Sequence, residues 1–336
     1  AWTRGENTGT DIPTRWWIHR MLIRYILLVG WLLCAFTAIA QQPAVTLVAV
    51  GDVMLARTVP QRLATHGEAW AWEKIAPYMA QADIRMCNLE CAVTNKGLAV
   101  PKRYSFRADP ALAVRVLTTG KFSVAMLANN HSYDYGAQGL ADTLVTLHTL
   151  GIAGPGAGMG RAAVIQPHIV TSHGLRIAFV AYTWWPPEGY IPTPDGPNLA
   201  ILDETTLAAE LREAKKNADF LVVSFHWGKE YLPVPSDGQR RVAHLAIDAG
   251  ADVIIGHHPH VVQPVEIYQN RPILYSLGNC VFDRSGSQWS NGLLACVRLS
   301  PGHVRVERKI HLAIQDARPV PMKASKKRTV TKSHKP

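Results

Sequence analysis

Residues 47–55 read Leu-Val-Ala-Val-Gly-Asp-Val-Met-Leu, so an aspartate follows directly on a run of apolar residues. A short apolar run that is rich in β-branched side chains is typical of a buried strand. The same pattern recurs further along the chain, where Glu90 follows the run Ile84–Cys87. Both carboxylates, Asp52 and Glu90, are therefore predicted to lie at the carboxyl end of a strand.

The alternation of apolar runs and helical patterns continues to about Asn279, which is typical of an α/β fold. The predicted strands are Thr46–Val50, Ile84–Cys87, Ser123–Leu127, Arg176–Tyr182, Phe220–Phe225, Val253–Ile255 and Ile273–Ser276. The predicted helices are Ala71–Ala80, Pro110–Thr118, Gln138–Leu150, Thr205–Asn217 and Gln239–Ala249. The stretch Gly292–Ile314 predicts two further strands around a Ser-Pro-Gly turn without an intervening helix. We therefore expect a mixed sheet or two sheets.

Side chains that can bind metal also follow the later strands. They are Asn130, His131, His226, His258 and His260. Each of them alone is more typical of a helix cap or of a hydrogen-bonded core group. Open α/β sheets, however, place their functional residues at the carboxyl ends of the strands, and we expect five strands to converge at one edge. Imidazoles with carboxylate and amide oxygens suit Mn, Fe or Zn, and a carboxylate can bridge two such ions.

Four cysteines lie in the predicted domain: Cys87, Cys91, Cys280 and Cys296. Cys87 and Cys91 flank Glu90, but no second closely spaced cysteine pair accompanies them, which argues against a thiolate zinc site. We expect buried thiols or one disulfide, and the spacing does not determine the pairing. The glycine-rich residues 154–160 lack the lysine of a phosphate-binding loop and predict a surface loop.

The formal net charge of +10 is concentrated near one end of the chain. Residues 318–336 hold seven Lys or Arg and no acidic residue, whereas residues 41–317 are nearly neutral. Nucleic-acid binding normally needs a basic face that contacts many phosphates, so we expect no nucleic-acid partner for the folded part. Because residues 318–336 are rich in Lys and Pro and poor in apolar side chains, they predict a basic disordered tail.

The N-terminal region has the order of charge, apolar run and small residues that is typical of a signal peptide. Residues 21–24 (Met-Leu-Ile-Arg) precede the apolar residues 25–40, which end in Ala-Ile-Ala. This run is short for a membrane-spanning helix of about 20 residues. Residues 21–40 therefore predict a cleaved signal peptide and an exported, periplasmic or extracellular protein, with a retained N-terminal membrane anchor as the alternative. Residues 1–20 show no periodic pattern and are interpreted as a non-native extension.

Six ordered motifs over roughly residues 45–285 carry a resemblance to a known family. They are Gly51–Leu55, Asn88–Glu90, Asn129–Gly136, His226–Tyr231, Gly256–Pro264 and Tyr275–Asn279. Together they resemble the CapA proteins, also called poly-γ-glutamate capsule biosynthesis proteins, of the calcineurin-like metallophosphoesterase superfamily. The resemblance implies that residues 41–317 form an αββα sandwich with mixed sheets and bind two divalent metal ions.

The resemblance also implies roles for single residues. Six residues match the superfamily's metal ligands: Asp52, Glu90, Asn130, His226, His258 and His260. Glu90 occupies the place of the carboxylate that bridges both ions, and His131 that of the histidine beside the leaving group. His257 has no counterpart with a role in the family and is interpreted as an ordinary buried residue.

The sequence departs from the superfamily pattern at two of these positions. The superfamily motif Asp-x-His is here Asp52-Val53-Met54, and a thioether is a poor ligand for hard ions. The site of Asp52, Glu90 and His260 is therefore expected to bind its ion more weakly than the site of Glu90, Asn130, His226 and His258. Glu90 stands where the superfamily has aspartate, as in CapA proteins, and its extra methylene shifts the bridge.

Two functions follow from these expectations. The first is a metal-dependent hydrolase that acts outside the cytoplasm on an anionic polymer such as poly-γ-glutamate. The second is a non-catalytic metal- or polymer-binding subunit that supports membrane capsule-synthesis proteins. Trp184, Trp185, Lys229 and Tyr231 offer an aromatic and basic rim, of which Trp184, Lys229 and Tyr231 are the candidate substrate-binding residues. A packed loop is the alternative for residues 184–187.

Overall fold

The computed structural model describes residues 43–283 and 291–323, together with Met21, Arg24 and Tyr25. The described residues from Pro43 onward belong to one compact unit. The expected extension, the expected signal peptide apart from those three residues, and residues 324–336 of the expected tail lie outside the described residues. Within the described part of the chain, no helix combines the length and the apolar character needed to cross a lipid bilayer.

Strands and helices alternate through most of the described chain. The strands are β1 Val45–Val53, β2 Ile84–Leu89, β3 Ala92–Val93, β4 Arg107–Ala108, β5 Val124–Met126, β6 Ala157–Met159, β7 His168–Ser172, β8 Leu175–Thr183, β9 Pro197–Leu199, β10 Phe220–His226, β11 Val253–His257, β12 Val265–Tyr268, β13 Arg271–Leu274, β14 Asn279–Val281, β15 Asn291–Ser300, β16 His303–Gln315 and β17 Arg318–Pro321. The α-helices are α1 Val59–His66, α2 Ala76–Met79, α3 Pro110–Gly120, α4 Gly136–Thr149, α5 Leu207–Lys215 and α6 Asp237–Asp248. Short 3-10 helices cover Glu68–Ala71 and Ala163–Ile165.

The first large sheet is built around β1. Its strand order is β17-β16-β15-β1-β2-β5, and β14 pairs with β1 at Asp52 and Val53. β1, β2 and β5 are parallel, whereas β15, β16 and β17 extend the sheet in antiparallel pairs. Because parallel strands end at the same edge, β1, β2 and β5 bring their carboxyl ends together.

The second large sheet has the strand order β12-β13-β11-β10-β8-β7. The four inner strands are parallel, and the edge strands β12 and β7 pair in antiparallel fashion. The turn His173-Gly174 joins β7 to β8, and both residues have positive φ, 49° and 77°. A two-residue turn of this kind matches the twist of a hairpin. Both sheets are therefore mixed.

The apolar residues of the strands separate the layers of the molecule. Alternate residues of a strand face opposite sides, so neighbours in sequence enter different clusters. In β1, Leu47 packs in the same cluster as Val222 of the second sheet, whereas Val48 packs with helices α1, α3 and α4. In β10, Val222 faces the first sheet and Val223 packs with helices α5 and α6. The layers are helix, sheet, sheet and helix, which confirms the expected αββα sandwich.

Local signals fix the start of two helices. Asp109 accepts a hydrogen bond from the backbone nitrogen of Leu112 at the start of α3, and Pro110 occupies the first turn. Ser236 and Gln239 form a reciprocal capping box at the start of α6. Gln239 Nε2 also donates to Oε1 of Gln263, 3.1 Å away. This bond ties the start of α6 to the segment that follows the predicted metal ligands His258 and His260.

Three sequence-based expectations about the fold are wrong. The expected surface loop at residues 154–160 is partly buried, and Ala157–Met159 form β6, which pairs with β9. The expected helix Ala71–Ala80 is instead a 3-10 helix at Glu68–Ala71 and the short helix α2. The expected disordered tail begins too early, because residues 318–321 form β17 and pair with β16. Arg318 contacts Glu73 at 2.7 Å and its guanidinium lies 4.2 Å from the ring centroid of Trp70. Composition does not reveal this strand, since tertiary contacts and backbone pairing stabilise it.

Candidate metal centre

The predicted metal-binding residues meet where the two sheets face each other. Asp52 lies at the end of β1 and Glu90 directly after β2, in the first sheet. His226 ends β10 and His258 follows β11, in the second sheet. All four side chains are buried. The site thus lies between the carboxyl edges of two sheets, and the expectation that five strands converge at the edge of one sheet is wrong in that respect.

Two glycines allow close packing of the chain at this edge. A Cβ atom on Gly51 would lie 1.9 Å from the carbonyl oxygen of Gly278, and one on Gly256 would lie 2.0 Å from that of Tyr275. Any side chain at these positions would push the neighbouring backbone away. The glycines that precede Asp52 and His257 therefore keep both strands in contact with the segment 275–278.

Asp52, Glu90 and His260 form the first of two clusters. Each offers one potential ligand atom, and these atoms lie within 4.8 Å of one another. His260 Nδ1 lies 3.1 Å from both Asp52 Oδ2 and Asn279 Oδ1. His260 Nε2 lies 3.7 Å from Glu90 Oε1. Because Nδ1 has these two oxygens as acceptors, Nε2 is the nitrogen that remains available to a metal ion.

Asn130, His226 and His258 form the second cluster. His226 Nε2 lies 2.8 Å from Asn130 Oδ1 and 3.1 Å from His258 Nδ1. The same nitrogen lies 3.9 Å from Glu90 Oε1, so Glu90 stands between the two clusters. His258 and His260 have φ values of 94° and 55°, which residues with a Cβ rarely adopt. Backbone strain of this kind concentrates at functional sites.

The two carboxylates are electrostatically coupled. Burial raises the pKa of Glu90 well above its ordinary value, and the negative charge of Asp52 adds to the effect. Burial would also raise the pKa of Asp52, but the nearby imidazoles of His257 and His260 outweigh it and hold that pKa well below its ordinary value. Glu90 Oε1 is buried without a hydrogen-bond partner in the described chain. An unpaired carboxylate oxygen that faces both clusters fits a divalent cation.

The histidines are suited to the same purpose. Burial lowers the pKa of His226 well below its ordinary value, and the charge of His258 adds to this effect. Burial likewise lowers the pKa of His258 to about 4, with a further contribution from His260. Neutral imidazole is the form that binds metal. The residues present therefore fit Mn, Fe or Zn, which accept mixed nitrogen and oxygen ligands.

Two asparagines that support the site received no role from the sequence. Asn88 Nδ2 donates to Asp52 Oδ1 at 2.9 Å and lies 3.5 Å from Glu90 Oε2. Asn129 Nδ2 donates to Asn88 Oδ1 at 3.0 Å, while Asn129 Oδ1 accepts from the backbone nitrogen of His131. Asparagine is uncommon in strand interiors, so Asn88 inside β2 was the signal that sequence reasoning could have used.

His131 lies beside the two clusters, and several contacts hold its ring. Its Nδ1 lies 2.7 Å from Asp134 Oδ2, and its ring stacks on Phe106 at 4.0 Å between centroids. Lys102 Nζ lies 2.6 Å from Asp134 Oδ1 and donates to the carbonyl oxygen of Asn130 at 2.8 Å. Burial lowers the pKa of His131, although Asp134 opposes this effect. The contact of Nδ1 with Asp134 leaves Nε2 as the atom available for proton transfer.

The expected rim is only partly present. Trp184 packs against Trp227, with ring centroids 6.0 Å apart, and belongs to the apolar layer beneath the site. Its neighbour Trp185 is 48% exposed and lies 5.7 Å from the ring of His258. Tyr231 lies 6.1 Å from the ring of His260, and Lys229 is exposed in the same turn. The two rings stack on each other with centroids 5.8 Å apart, and Trp185 is the one that contacts His258.

Met54 and the cysteines lie in the apolar layer behind the first sheet. Met54 is fully buried, and its sulfur accepts a hydrogen bond from the backbone nitrogen of Ala56 at 3.1 Å. The four cysteines of the described chain are free and buried, so of the two expectations the buried thiols describe this structure. Burial raises the pKa of Cys91 to about 12. Thiols in this state are poor metal ligands and poor nucleophiles.

Comparison with known proteins assigns the family. Residues 46–284 match the sequence model of the bacterial capsule synthesis protein PGA_cap family. The chain belongs to this family. The PGA_cap region contains every residue of the two clusters, from Asp52 to His260.

Two curated relatives of this PGA_cap chain come from Bacillus. The capsule biosynthesis protein CapA of Bacillus anthracis is 32% identical over 288 residues, which cover 82% of this chain and 69% of that protein. The PGA biosynthesis protein CapA of Bacillus subtilis is 34% identical over 283 residues, which cover 82% of this chain and 73% of that protein.

Solved structures resemble the PGA_cap chain more distantly. A hypothetical protein from Thermus thermophilus has a TM-score of 0.44 at 16% identity and covers 82% of this chain and 98% of that one. A 5'-nucleotidase precursor from the same organism has a TM-score of 0.46 at 14% identity and covers 82% of this chain and 56% of that one. The fold described above rests on strand order and layers and not on these similarities.

Proposed function

We propose that this protein is an exported, metal-dependent hydrolase that acts on an anionic polymer during capsule synthesis. The observation that carries the proposal is Glu90 Oε1, a buried oxygen without a hydrogen-bond partner in the described chain. It lies 3.7 Å from His260 Nε2 and 3.9 Å from His226 Nε2. A carboxylate in this position would suit a site that holds two divalent ions.

The residues at the centre have distinct proposed roles. Asp52, Glu90 and His260 would hold one ion, and Glu90, Asn130, His226 and His258 would hold the other. Two ions, when bound, supply charge that polarises the scissile group and activates water. His131 exchanges a proton with the leaving group through Nε2, while Asp134 and Lys102 hold its ring in place. Asn88 orients the two acidic ligands through its amide group.

The polymer is proposed from the relatives and from the rim. The relatives' names refer to capsule and PGA biosynthesis, and they belong to the same family as this chain. Trp185 provides an exposed aromatic surface beside His258. Such a surface can stack on the extended backbone of a polymer. Lys229, exposed in the neighbouring turn, adds a positive charge for the polymer's carboxylates.

A second candidate function is a non-catalytic metal- or polymer-binding subunit of a membrane capsule-synthesis complex. Met54 favours it, because the superfamily pattern has histidine at this position. The sulfur of Met54 is engaged with the backbone of Ala56 and lies in the apolar layer. A centre with one ligand fewer can bind metal and polymer without an efficient reaction.

One experiment separates the two functions. Purified protein, loaded with Mn²⁺, is incubated with poly-γ-glutamate, and chain length is followed by size-exclusion chromatography beside the His131→Ala variant. Metal-dependent shortening that disappears in the variant supports the hydrolase. Metal-dependent binding without shortening favours the subunit. Absence of both shortening and binding contradicts both proposals.

Export is proposed from residues 21–40 and has its own test. Mass spectrometry of the mature protein from its native host is expected to find an N-terminus near Gln41 in the periplasmic or extracellular fraction. Recovery of the intact segment from the membrane fraction would instead establish an anchored protein.

A further inference from the structure

His257 is a buried histidine whose polar atoms are unsatisfied. It is the last residue of β11 and is 1% exposed. Both of its ring nitrogens lack a hydrogen-bond partner among the described residues. Burial of polar atoms without hydrogen bonds is costly, so native structures retain few such groups without a reason. An ordinary core histidine would have at least one of its nitrogens paired.

The unsatisfied atoms are concentrated at the metal centre. Three of the buried side-chain atoms that lack a hydrogen-bond partner in the described chain belong to His257 and Glu90. His257 pairs in register with His226, the histidine of the second cluster on the adjacent strand. Register partners on neighbouring strands direct their side chains to the same face of a sheet. His257 therefore faces the centre and not the helices behind the sheet.

One distance brings His257 to the edge of the first cluster, although His257 lies outside the group of Asp52, Glu90 and His260 whose ligand atoms are within 4.8 Å of one another. Its Nδ1 lies 3.2 Å from Asp52 Oδ1, without the alignment that a hydrogen bond needs. On the other side of the same carboxylate, His260 Nδ1 lies 3.1 Å from Oδ2. Two ligand atoms that are each about 2.1 Å from one ion lie about 3.0–3.4 Å apart at ordinary bond angles. The separation of His257 Nδ1 from Asp52 Oδ1 is within this range.

The first cluster also needs another ligand. Asp52, Glu90 and His260 supply three ligand groups, and Met54, two residues after Asp52, has its sulfur engaged elsewhere. A neutral imidazole from a different strand can replace the missing histidine if it reaches the same ion. We propose that His257 is a metal ligand of the Asp52 cluster and substitutes for the imidazole that position 54 does not provide.

This inference rests on the proposed metal centre and makes its two sites nearly equal. The sequence predicts one strong and one weak site, because it counts only three ligand residues around Asp52. With His257 included, each cluster has four ligand residues, of which Glu90 is shared. Two ions are then expected to bind with similar affinity.

The test is titration of the metal-free protein with Mn²⁺ by isothermal titration calorimetry. The parent protein is compared with His257→Leu, which keeps the approximate volume but cannot bind metal, and with His257→Gln as a second variant. His168→Leu, at a half-buried histidine of β7, is the matched control. We expect two ions to bind with similar affinity in the parent and in the control. Each His257 variant should weaken the binding of one ion by at least about tenfold and leave that of the other unchanged.

Thermal melts with and without metal distinguish a metal ligand from a histidine that only stabilises the fold. Without metal, His257→Leu removes two polar atoms that lack hydrogen bonds but also the imidazole beside the Asp52 carboxylate, so its melting temperature should stay close to that of the parent. With Mn²⁺, the increase in melting temperature should be smaller in the variant than in the parent. A lower melting temperature without metal, together with unchanged affinities, would mean that His257 only packs against Asp52. Failure of the parent to bind Mn²⁺ would instead overturn the metal centre itself, and this inference with it.

Discussion

Lys102 places its ammonium nitrogen 2.6 Å from Oδ1 of Asp134, and the Lys102 side chain is only 5% exposed. The other oxygen of this carboxylate holds Nδ1 of His131 at 2.7 Å. The same ammonium group lies 3.3 Å from Glu188, whose side chain is 64% exposed. Lys102 thus contacts two carboxylates. The buried one, Asp134, positions the candidate catalytic histidine, and the other, Glu188, is exposed at the surface.

The two ion pairs of Lys102 are expected to differ in energy. Lys102→Met leaves the carboxylate of Asp134 buried without its cation, which typically costs about 3–5 kcal/mol of unfolding free energy. Glu188→Gln breaks only the exposed pair and is expected to cost less than about 1 kcal/mol. Urea denaturation of both variants measures the difference. Equal losses in the two variants would show that Asp134 does not depend on Lys102.

Asp134 is expected to affect catalysis more than metal binding. Asp134→Asn keeps the shape of the side chain but removes the charge that orients and stabilises the imidazole of His131. Polymer shortening is therefore expected to fall by at least about tenfold, while two ions per chain are retained. Elemental analysis and chain-length measurement on the same preparation test both parts. Loss of metal together with activity would show that Asp134 positions the metal ligand Asn130 and not His131.

The sequence was sufficient to predict the central strands and the polar residues that end them. Buried parallel strands have continuous apolar runs, and Asp52, Glu90 and His226 each follow such a run. The division into two sheets could not be predicted in this way, because runs such as Leu47–Val50 and Phe220–Phe225 look alike whichever sheet contains them. Only the pairing of β1 with β2, and of β10 with β8 and β11, separates the two sets.

The roles of neighbouring residues were harder to predict. Trp184 and Trp185 are chemically identical, and the path of the backbone after β8 decides which of them enters the apolar layer. His257 and His258 pose the same problem in the motif Gly256–His260. Local composition does not show which way each of these side chains points, because that direction depends on contacts with distant strands.

The C-terminal edge of the first sheet yields a prediction about truncation. Deletion of residues 318–336 removes β17, including Pro319, which is buried, and Arg318, which contacts Glu73 and Trp70. We expect the melting temperature to fall by several degrees, since each kcal/mol corresponds to about 2–4 °C in a domain of this size. Deletion of residues 324–336 is the control and is expected to change it little, because that segment has little apolar surface to bury. Equal melting temperatures for both truncations would contradict a stabilising role of β17.

The adjacent tryptophans should separate stability from polymer binding. Trp184→Ala removes a ring that packs against Trp227 and is expected to cost about 2–3 kcal/mol of unfolding free energy. Trp185→Ala removes an exposed ring beside His258 and is expected to weaken poly-γ-glutamate binding while stability changes by less than about 1 kcal/mol. Urea denaturation and polymer binding by fluorescence anisotropy measure the two quantities. A polymer affinity unchanged by Trp185→Ala would remove this residue from the proposed binding surface.

The position of Glu90 between the clusters yields the sharpest prediction about metal content. Its Oε1 lies 3.7 Å from His260 Nε2 and 3.9 Å from His226 Nε2, so Glu90→Ala is expected to remove both ions. His258→Ala should remove only the ion of the second cluster, because His258 contacts His226 at 3.1 Å and lies outside the group of Asp52, Glu90 and His260. Met54→Leu is the control, since the sulfur is turned toward Ala56 and its loss should leave metal content unchanged. Elemental analysis after dialysis should therefore give two ions per chain in the parent and in Met54→Leu, about one in His258→Ala and none in Glu90→Ala. Retention of one ion in Glu90→Ala would show that the two clusters bind independently and that Glu90 does not bridge them.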